Sequence, residues 1–152
     1  MTDTANRLQA FWNQRYAGAD FAYGTAPNDF LVSCLAKLPP GGRVLCLPDG
    51  EGRNGVWLAQ QGFQVTSVDI ADAGLRKARR LADHAGVTLA TVHADVTRFD
   101  LVKELETRGL APGVYDHSQT FGTDSADFAV HNYDDRSASH LVPAADLFKG
   151  HF

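Results

Sequence analysis

The chain has few cysteines, no excess of basic residues and no long hydrophobic run, and each absence excludes a class of protein. Its 152 residues include only Cys34 and Cys46, both in apolar surroundings, which indicates buried, reduced thiols rather than a disulfide framework. The formal net charge of −4 argues against a nucleic acid or an anionic membrane as partner. No apolar run approaches the length of a membrane span, and the N-terminus lacks a signal-peptide pattern. We therefore expect a cytoplasmic protein formed by one domain, residues 1–152.

The most informative stretch runs from residue 43 to residue 69. A short apolar run, Val44–Leu47, is followed by the glycine turn Gly50–Gly52 and then by an apolar-periodic segment. A second run, Val65–Val68, ends at Asp69. This order predicts strand, glycine turn, helix, strand and carboxylate, which is the signature of a βαβ unit that binds a nucleoside-containing cofactor.

The spacing within this stretch has a chemical reason. Glycine in a turn after a buried strand lets the backbone approach a ligand closely. The N-terminus of the following helix directs N–H groups to the same place, which suits a carboxylate or phosphate. Asp69 ends the neighbouring strand at the same edge of the sheet, where a carboxylate can accept both hydroxyls of a ribose.

Two cofactors fit this arrangement. Gly50, Gly52 and Gly55 spell G-x-G-x-x-G, the pattern of a nicotinamide dinucleotide site. The whole segment more closely resembles motif I of the class I S-adenosylmethionine-dependent methyltransferases, usually D-L-G-C-G-E-G-R-N, in a branch near the tellurite-resistance type. Cys46 stands where that motif has an acidic residue, and Pro48 replaces its first glycine. Asp49 is then a candidate for the missing acidic group.

The resemblance implies an α/β fold of the Rossmann-like methyltransferase type, with three α/β/α layers around a parallel sheet and S-adenosyl-L-methionine as cofactor. It also implies a set of cofactor-binding residues. Those at the methionine end are Asp49, Gly50, Glu51, Gly52 and Asn54; Asp69 and Ile70 lie at the ribose, Asp95 and Val96 at the adenine, and Arg15 and Tyr23 in a covering N-terminal segment. Asp95 also fits a plain helix cap or turn residue. The catalytic residues stay unknown, because methyl transfer depends mainly on holding donor and acceptor in near-attack geometry.

The chain divides into three parts: N-terminal helices that form a lid (1–42), a cofactor-binding βαβαβ unit (43–110), and a tail (111–152). Helices are predicted from Thr4 to Gly18, from Pro27 to Leu38, over Val56–Ala59 with Gly62 as the stop, from Asp72 to Gly86 and from Leu101 to Arg108. The third predicted strand is Val87–Val92. The basic run from Arg76 to Arg80 is expected on a solvated helix face. Phe30 is expected on the buried face of the second helix.

The tail lacks a sustained apolar period. Two weak candidates for a fourth strand are residues 113–121 and 127–131. In the strand order 3-2-1-4-5, the first strand needs that fourth strand beside it. Without it, residues 43–47 form an exposed edge, and we expect a marginally stable chain that forms a homodimer through that edge. The four tail histidines, at positions 117, 131, 140 and 151, match no metal-site spacing, so no metal is expected.

The favoured function is an S-adenosylmethionine-dependent methyltransferase of a small-molecule acceptor, impaired because the chain resembles its family only to about residue 110. One alternative is an NAD-type dinucleotide-binding domain. That fold usually begins with its first strand, whereas roughly forty residues precede the first predicted strand of this chain. The other is a degenerate homologue that serves as a non-catalytic interaction module.

Overall fold

The computed structural model describes residues 2–38, 40–95, 127–132 and 139–142, the last two ranges as paired backbone. The helices in these ranges are α1 (Asp3–Arg15), α2 (Asp29–Cys34), α3 (Arg53–Gln60) and α4 (Asp72–Ala85), with a 3₁₀ turn at Leu35–Lys37. The strands are β1 (Arg43–Leu47), β2 (Gln64–Asp69), β3 (Ala90–His93), β4 (Asp127–Asn132) and β5 (Ser139–Val142). The predicted alternation of strand and helix from residue 43 to residue 93 is confirmed.

The described strands form one sheet in the order β3-β2-β1-β4-β5. β1 pairs in parallel with β2 and with β4, and β2 pairs in parallel with β3. β5 runs antiparallel to β4. The predicted Rossmann-like order, with β1 in the centre, is confirmed, and it brings the carboxyl ends of β1, β2 and β3 to one edge of the sheet.

The prediction that β1 is an exposed edge is wrong. Residues Asp127–Asn132, the second of the two candidate segments, supply β4, with Arg43 opposite Asp127 and Leu47 opposite His131. Because both sides of β1 carry a parallel partner, the expected homodimer through that edge loses its basis. The other candidate, 113–121, and the predicted helix at 101–108 lie outside the described residues.

Local sequence signals set the helix ends. The N-cap of α1 is Thr2 and not Thr4 as predicted, because the Thr2 hydroxyl accepts the Ala5 N–H at 3.2 Å. The Asn28 side chain caps α2 in the same way. Gly86 ends α4 at φ 70°, in the left-handed region that suits glycine. None of the described helices has the combination of length and apolar character that crossing a membrane requires.

The hydrophobic core lies between the sheet and the helices α2 and α3. Its buried side chains are Leu31, Cys34, Leu38, Val44, Cys46, Leu58, Phe63 and Val65. Neither cysteine forms a disulfide, as predicted. Phe30, by contrast, was expected to face this core and is 44% exposed. The core therefore holds α2 and α3 against β1 and β2 and fixes the glycine turn that joins β1 to α3.

Candidate cofactor site

The predicted site residues converge where β1 and β2 end. The glycine turn follows β1, and Asp69 is the last residue of β2. The Gly50 N–H donates to Asp69 Oδ2 at 2.7 Å. Asp95, two residues beyond β3, lies after the next strand of the same sheet and is half-buried. The structure thus places the turn and Asp69 at one edge of the sheet, as the sequence predicts, and joins them by a hydrogen bond.

Close packing explains two of the glycines in the turn. Gly50 and Gly52 have φ angles of 58° and 87°. A Cβ on Gly52 would lie 2.6 Å from the Ala78 Cβ of α4, and a Cβ on Gly50 would lie 2.8 Å from the Tyr16 hydroxyl. The turn is therefore pressed between α4 on one side and the end of α1 on the other, and only glycine fits both the backbone and the space.

Asp69 holds the loops on either side of it. Its Oδ2 accepts the Gly50 N–H, and its Oδ1 accepts the Ala71 N–H at 2.8 Å. Burial raises the pKa of this carboxyl, while the backbone N–H groups of Ala71, Gly50 and Ile70 and the nearby His93 act in the opposite direction. Each carboxylate oxygen has a second lone pair. Asp69 therefore keeps the capacity to accept ribose hydroxyls, and that contact stays a prediction.

Asp49 lies beneath the turn. The Ser67 hydroxyl donates to its Oδ2, and the Gly55 N–H donates to its Oδ1 at 3.3 Å. Burial raises the pKa of Asp49 to about 7, against the opposing effect of these hydrogen bonds. Burial, with Asp49 nearby, also raises the pKa of the Cys46 thiol. Asp49 thus ties β2 to the start of α3 through both oxygens, and its predicted contact with the methionine end stays a prediction.

Glu51 has a buried partner that the sequence analysis missed. Its Oε2 lies 2.6 Å from Lys77 Nζ on α4, and its Oε1 accepts the Ala22 N–H at 2.7 Å. Lys77 is 3% exposed, so the prediction of a solvated basic face is wrong at this position. The signal was its helical spacing, because Lys77 lies three positions after the buried Gly74 and therefore on the same face of α4.

The segment from Tyr16 to Asn28 lies beside the turn, where a lid was predicted. Asn54, in α3, accepts the Asn28 N–H at 2.8 Å through its Oδ1. The Arg15 guanidinium lies 5.4 Å from the centre of the Tyr23 ring. Burial raises the pKa of the Tyr16 hydroxyl, with Asp69 as the next cause. The predicted contacts Arg15 and Tyr23 therefore touch each other, and the side chain of Asn54 holds the chain segment before α2.

His93 is a further residue at this edge that the sequence analysis did not single out as a site residue. It pairs with Asp69 in the register of β2 and β3, and its Nε2 lies 2.9 Å from the Ile70 carbonyl oxygen. Ile70 itself is buried. Val96, predicted at the adenine, lies outside the described residues. No cluster of potential metal ligands occurs within the part of the chain that the structure describes.

A cavity of about 450 Å³ opens at the opposite edge of the sheet. It is lined by the first residues of three strands, Arg43, Gln64 and Ala90, and by Gly62 and Thr88 from the loops before β2 and β3. These residues lie at the amino ends of the strands, far along the sheet from the glycine turn. Ligand binding at one edge can therefore be distinguished from binding at the other by the backbone amides whose NMR signals shift.

Comparisons with known proteins identify the segment that carries the site. The sequence model of a family described as "Methyltransferase domain" matches residues 44–108. No curated protein sequence matches the chain. A solved structure described as "Conversion of a Disulfide Bond into a Thioacetal Group during Echinomycin Biosynthesis" is 26% identical, with a TM-score of 0.52, over 65% of this chain and 42% of that chain. This chain thus spans less than half the length of that relative.

Two further solved structures are more distant. The SAM-dependent methyltransferase from Thiobacillus denitrificans, in complex with S-adenosyl-L-homocysteine, is 22% identical, with a TM-score of 0.43, over 60% of this chain and 38% of that chain. A TehB-like SAM-dependent methyltransferase from Corynebacterium glutamicum is 21% identical, with a TM-score of 0.41, over 84% of this chain and 71% of that chain. The tellurite-resistance-like branch stays a prediction. The family match over residues 44–108 and the strand order show that this part of the chain is similar to a methyltransferase domain.

Proposed function

We propose that this chain binds S-adenosylmethionine at the carboxyl edge of β1, β2 and β3 and transfers its methyl group to a small-molecule acceptor. The observation that supports this most is the family match over residues 44–108, which spans the glycine turn, Asp69 and Asp95. In the fold these parts follow three strands at one edge of the sheet. Their arrangement matches the order of the methionine, ribose and adenine parts of the cofactor.

The residues present fit this cofactor. The glycine turn leads into the N-terminus of α3, whose N–H groups suit the carboxylate of the methionine end. In this proposal Asp69 accepts ribose hydroxyls with its remaining lone pairs, and Asp95 with Val96 meets the adenine. Arg15 and Tyr23 cover the methionine end from the N-terminal segment.

The chain's part in the reaction is to position the reactants. When bound, the cofactor supplies an electrophilic methyl group on a sulfonium. The acceptor must meet that methyl group in line, so the chain contributes by holding both partners and limiting their motion, which can account for a large part of a rate enhancement. No dedicated nucleophile is needed on the protein, and the identity of the acceptor follows from residues other than those of the glycine turn.

Calorimetric titration with S-adenosylmethionine, S-adenosylhomocysteine and NAD, each under the same conditions, tests the cofactor. We expect the first two to bind and NAD to give no binding heat. Binding of NAD without binding of S-adenosylhomocysteine would instead support the dinucleotide alternative raised by Gly50, Gly52 and Gly55. Transfer of labelled methyl groups to the small-molecule fraction of a cell extract separates an active enzyme from a non-catalytic homologue, which would bind cofactor without turnover.

A further inference from the structure

A buried ion pair connects the glycine turn, α4 and the N-terminal segment. Glu51 of the turn and Lys77 of α4 are each 4% exposed at the side chain, and their charged atoms are 2.6 Å apart. Lys77 Nζ also donates to the Asp20 carbonyl oxygen at 2.6 Å, and Glu51 Oε1 accepts the Ala22 N–H at 2.7 Å. The Phe21 ring lies 5.3 Å from Lys77 Nζ. The pair therefore holds three consecutive residues, 20–22, which we call the strap.

Stability alone does not explain such a pair. Removing two charges from water is costly, and well-packed apolar residues in place of a buried ion pair are often neutral or stabilising. The pair does, however, fix the position of the strap backbone, because Lys77 also donates to the Asp20 carbonyl oxygen and Glu51 also accepts the Ala22 N–H. An apolar replacement could fill the same space, but it could not fix the position of the strap backbone.

The position of the strap matters because of what borders it. Tyr16 and Tyr23 flank it in sequence; the Tyr16 hydroxyl points at Gly50, and the Tyr23 ring meets Arg15. Asn54 holds the same segment at its far end through the Asn28 N–H. With the strap fixed, the N-terminal segment forms a wall beside the turn before any ligand arrives.

We propose that Lys77, paired with Glu51, is a positioning residue of the cofactor site: it fixes residues 20–22 against the glycine turn and thereby raises the affinity for the methionine end of the cofactor. This inference rests on the proposed function. Lys77 acts through the strap and need not touch the cofactor. The energy of ordering the N-terminal segment is then supplied during folding and does not reduce the binding affinity.

The test compares wild type with the charge-balanced variant Glu51→Met/Lys77→Met, and with Arg76→Met as the matched control. The double substitution leaves no unpaired buried charge, so it is expected to fold, whereas Lys77→Met alone would leave Glu51 without its partner. Arg76 is on the same helix and lies exposed beside Asp72. The readouts are the urea midpoint, hydrogen exchange of the Ala22 amide without ligand, and the dissociation constant of S-adenosylhomocysteine for the folded protein.

We expect the double variant to exchange the Ala22 amide at least tenfold faster and to bind S-adenosylhomocysteine about tenfold more weakly, which corresponds to about 1.4 kcal/mol. Arg76→Met should change neither. A double variant that folds, binds with wild-type affinity and keeps its amide protection would overturn the inference. Failure of the proposed function has a different signature, because wild type itself would then bind no S-adenosylhomocysteine; that result would remove this inference with it.

Discussion

Replacing Asp49 with Asn should stabilise the fold increasingly as the pH rises from 5 to 8. Burial raises the pKa of Asp49 from 3.8 to about 7, so between these values the folded state binds a proton that the unfolded state has released. The free energy of unfolding of wild type therefore falls as the pH rises through this window, and the fall is complete above about pH 7. At about 1.4 kcal/mol for each pKa unit, the loss between pH 5 and pH 8 is roughly 3 kcal/mol.

Asparagine is the suitable replacement because it resembles the protonated acid. Its carbonyl oxygen can accept the Gly55 N–H, and its amide can donate to the Ser67 hydroxyl, which is able to accept. The variant has no charge to desolvate and no proton to lose. Its advantage over wild type should thus be small at pH 5 and should grow by roughly 3 kcal/mol by pH 8.

Urea unfolding of both proteins at several pH values from 5 to 8 measures this difference. Titrations of other groups are common to the two proteins and cancel when one curve is subtracted from the other. Asp72→Asn is the control, since it removes a carboxyl group that is exposed beside Arg76. Curves for Asp49→Asn and wild type that stay parallel across this range would mean that Asp49 is ionised normally in the folded protein.

Replacing Asp69 with Asn should weaken the binding of S-adenosylhomocysteine by more than tenfold. A hydrogen bond to a charged group contributes about 1.5–3 kcal/mol, and the ribose hydroxyls would lose their charged acceptor. The substitution also directs an amide N–H₂ group at either the Gly50 N–H or the Ala71 N–H, because both carboxylate oxygens accept a backbone N–H. The glycine turn should therefore loosen, and stability should fall as well.

The two effects are separated by measuring binding where both proteins are fully folded. Calorimetric titration gives the dissociation constant, and urea unfolding at the same temperature reports the folded fraction. Asp72→Asn again serves as control, since it removes the same charge three residues further along the chain and should leave the affinity unchanged. A dissociation constant for Asp69→Asn equal to that of wild type would place the ribose elsewhere.

The parts of this fold that the sequence predicts well are those whose signal is local. Val44–Leu47 is an apolar run just before the glycine turn, and Val65–Val68 is a short run with valine at both ends that stops at Asp69, so their strands can be predicted without knowledge of their neighbours. β4 is different, because its apolar core, Phe128–Val130, is short and lies between polar residues. Its pairing with β1 on one side and β5 on the other makes it a strand, and a single sequence does not reveal such non-local partners.

The site shows the same division. The placement of the glycine turn and Asp69 at one edge follows from two strand ends that meet there, and it was predicted; the hydrogen bond from Gly50 to Asp69 was not. Lys77 was wrongly predicted to be exposed, because the prediction used its charge and not its position on the helix. Its burial depends on its ion pair with Glu51, twenty-six residues earlier. The structural roles of Asp49 and Asn54 were missed for a related reason. Their partners, Ser67 and Asn28, lie on other elements, and no local pattern links them.

The most direct test of the central claim is an NMR titration of the ¹⁵N-labelled chain with S-adenosylhomocysteine. The cofactor is proposed to bind at the carboxyl edge, so the largest amide shifts should occur at Gly50–Gly52 and at Asp69–Ala71. The cavity at the opposite edge provides an internal control, and the amides of Gly62 and Thr88 should stay in place. Shifts concentrated at Gly62 and Thr88, or none anywhere at saturating ligand, would contradict the account.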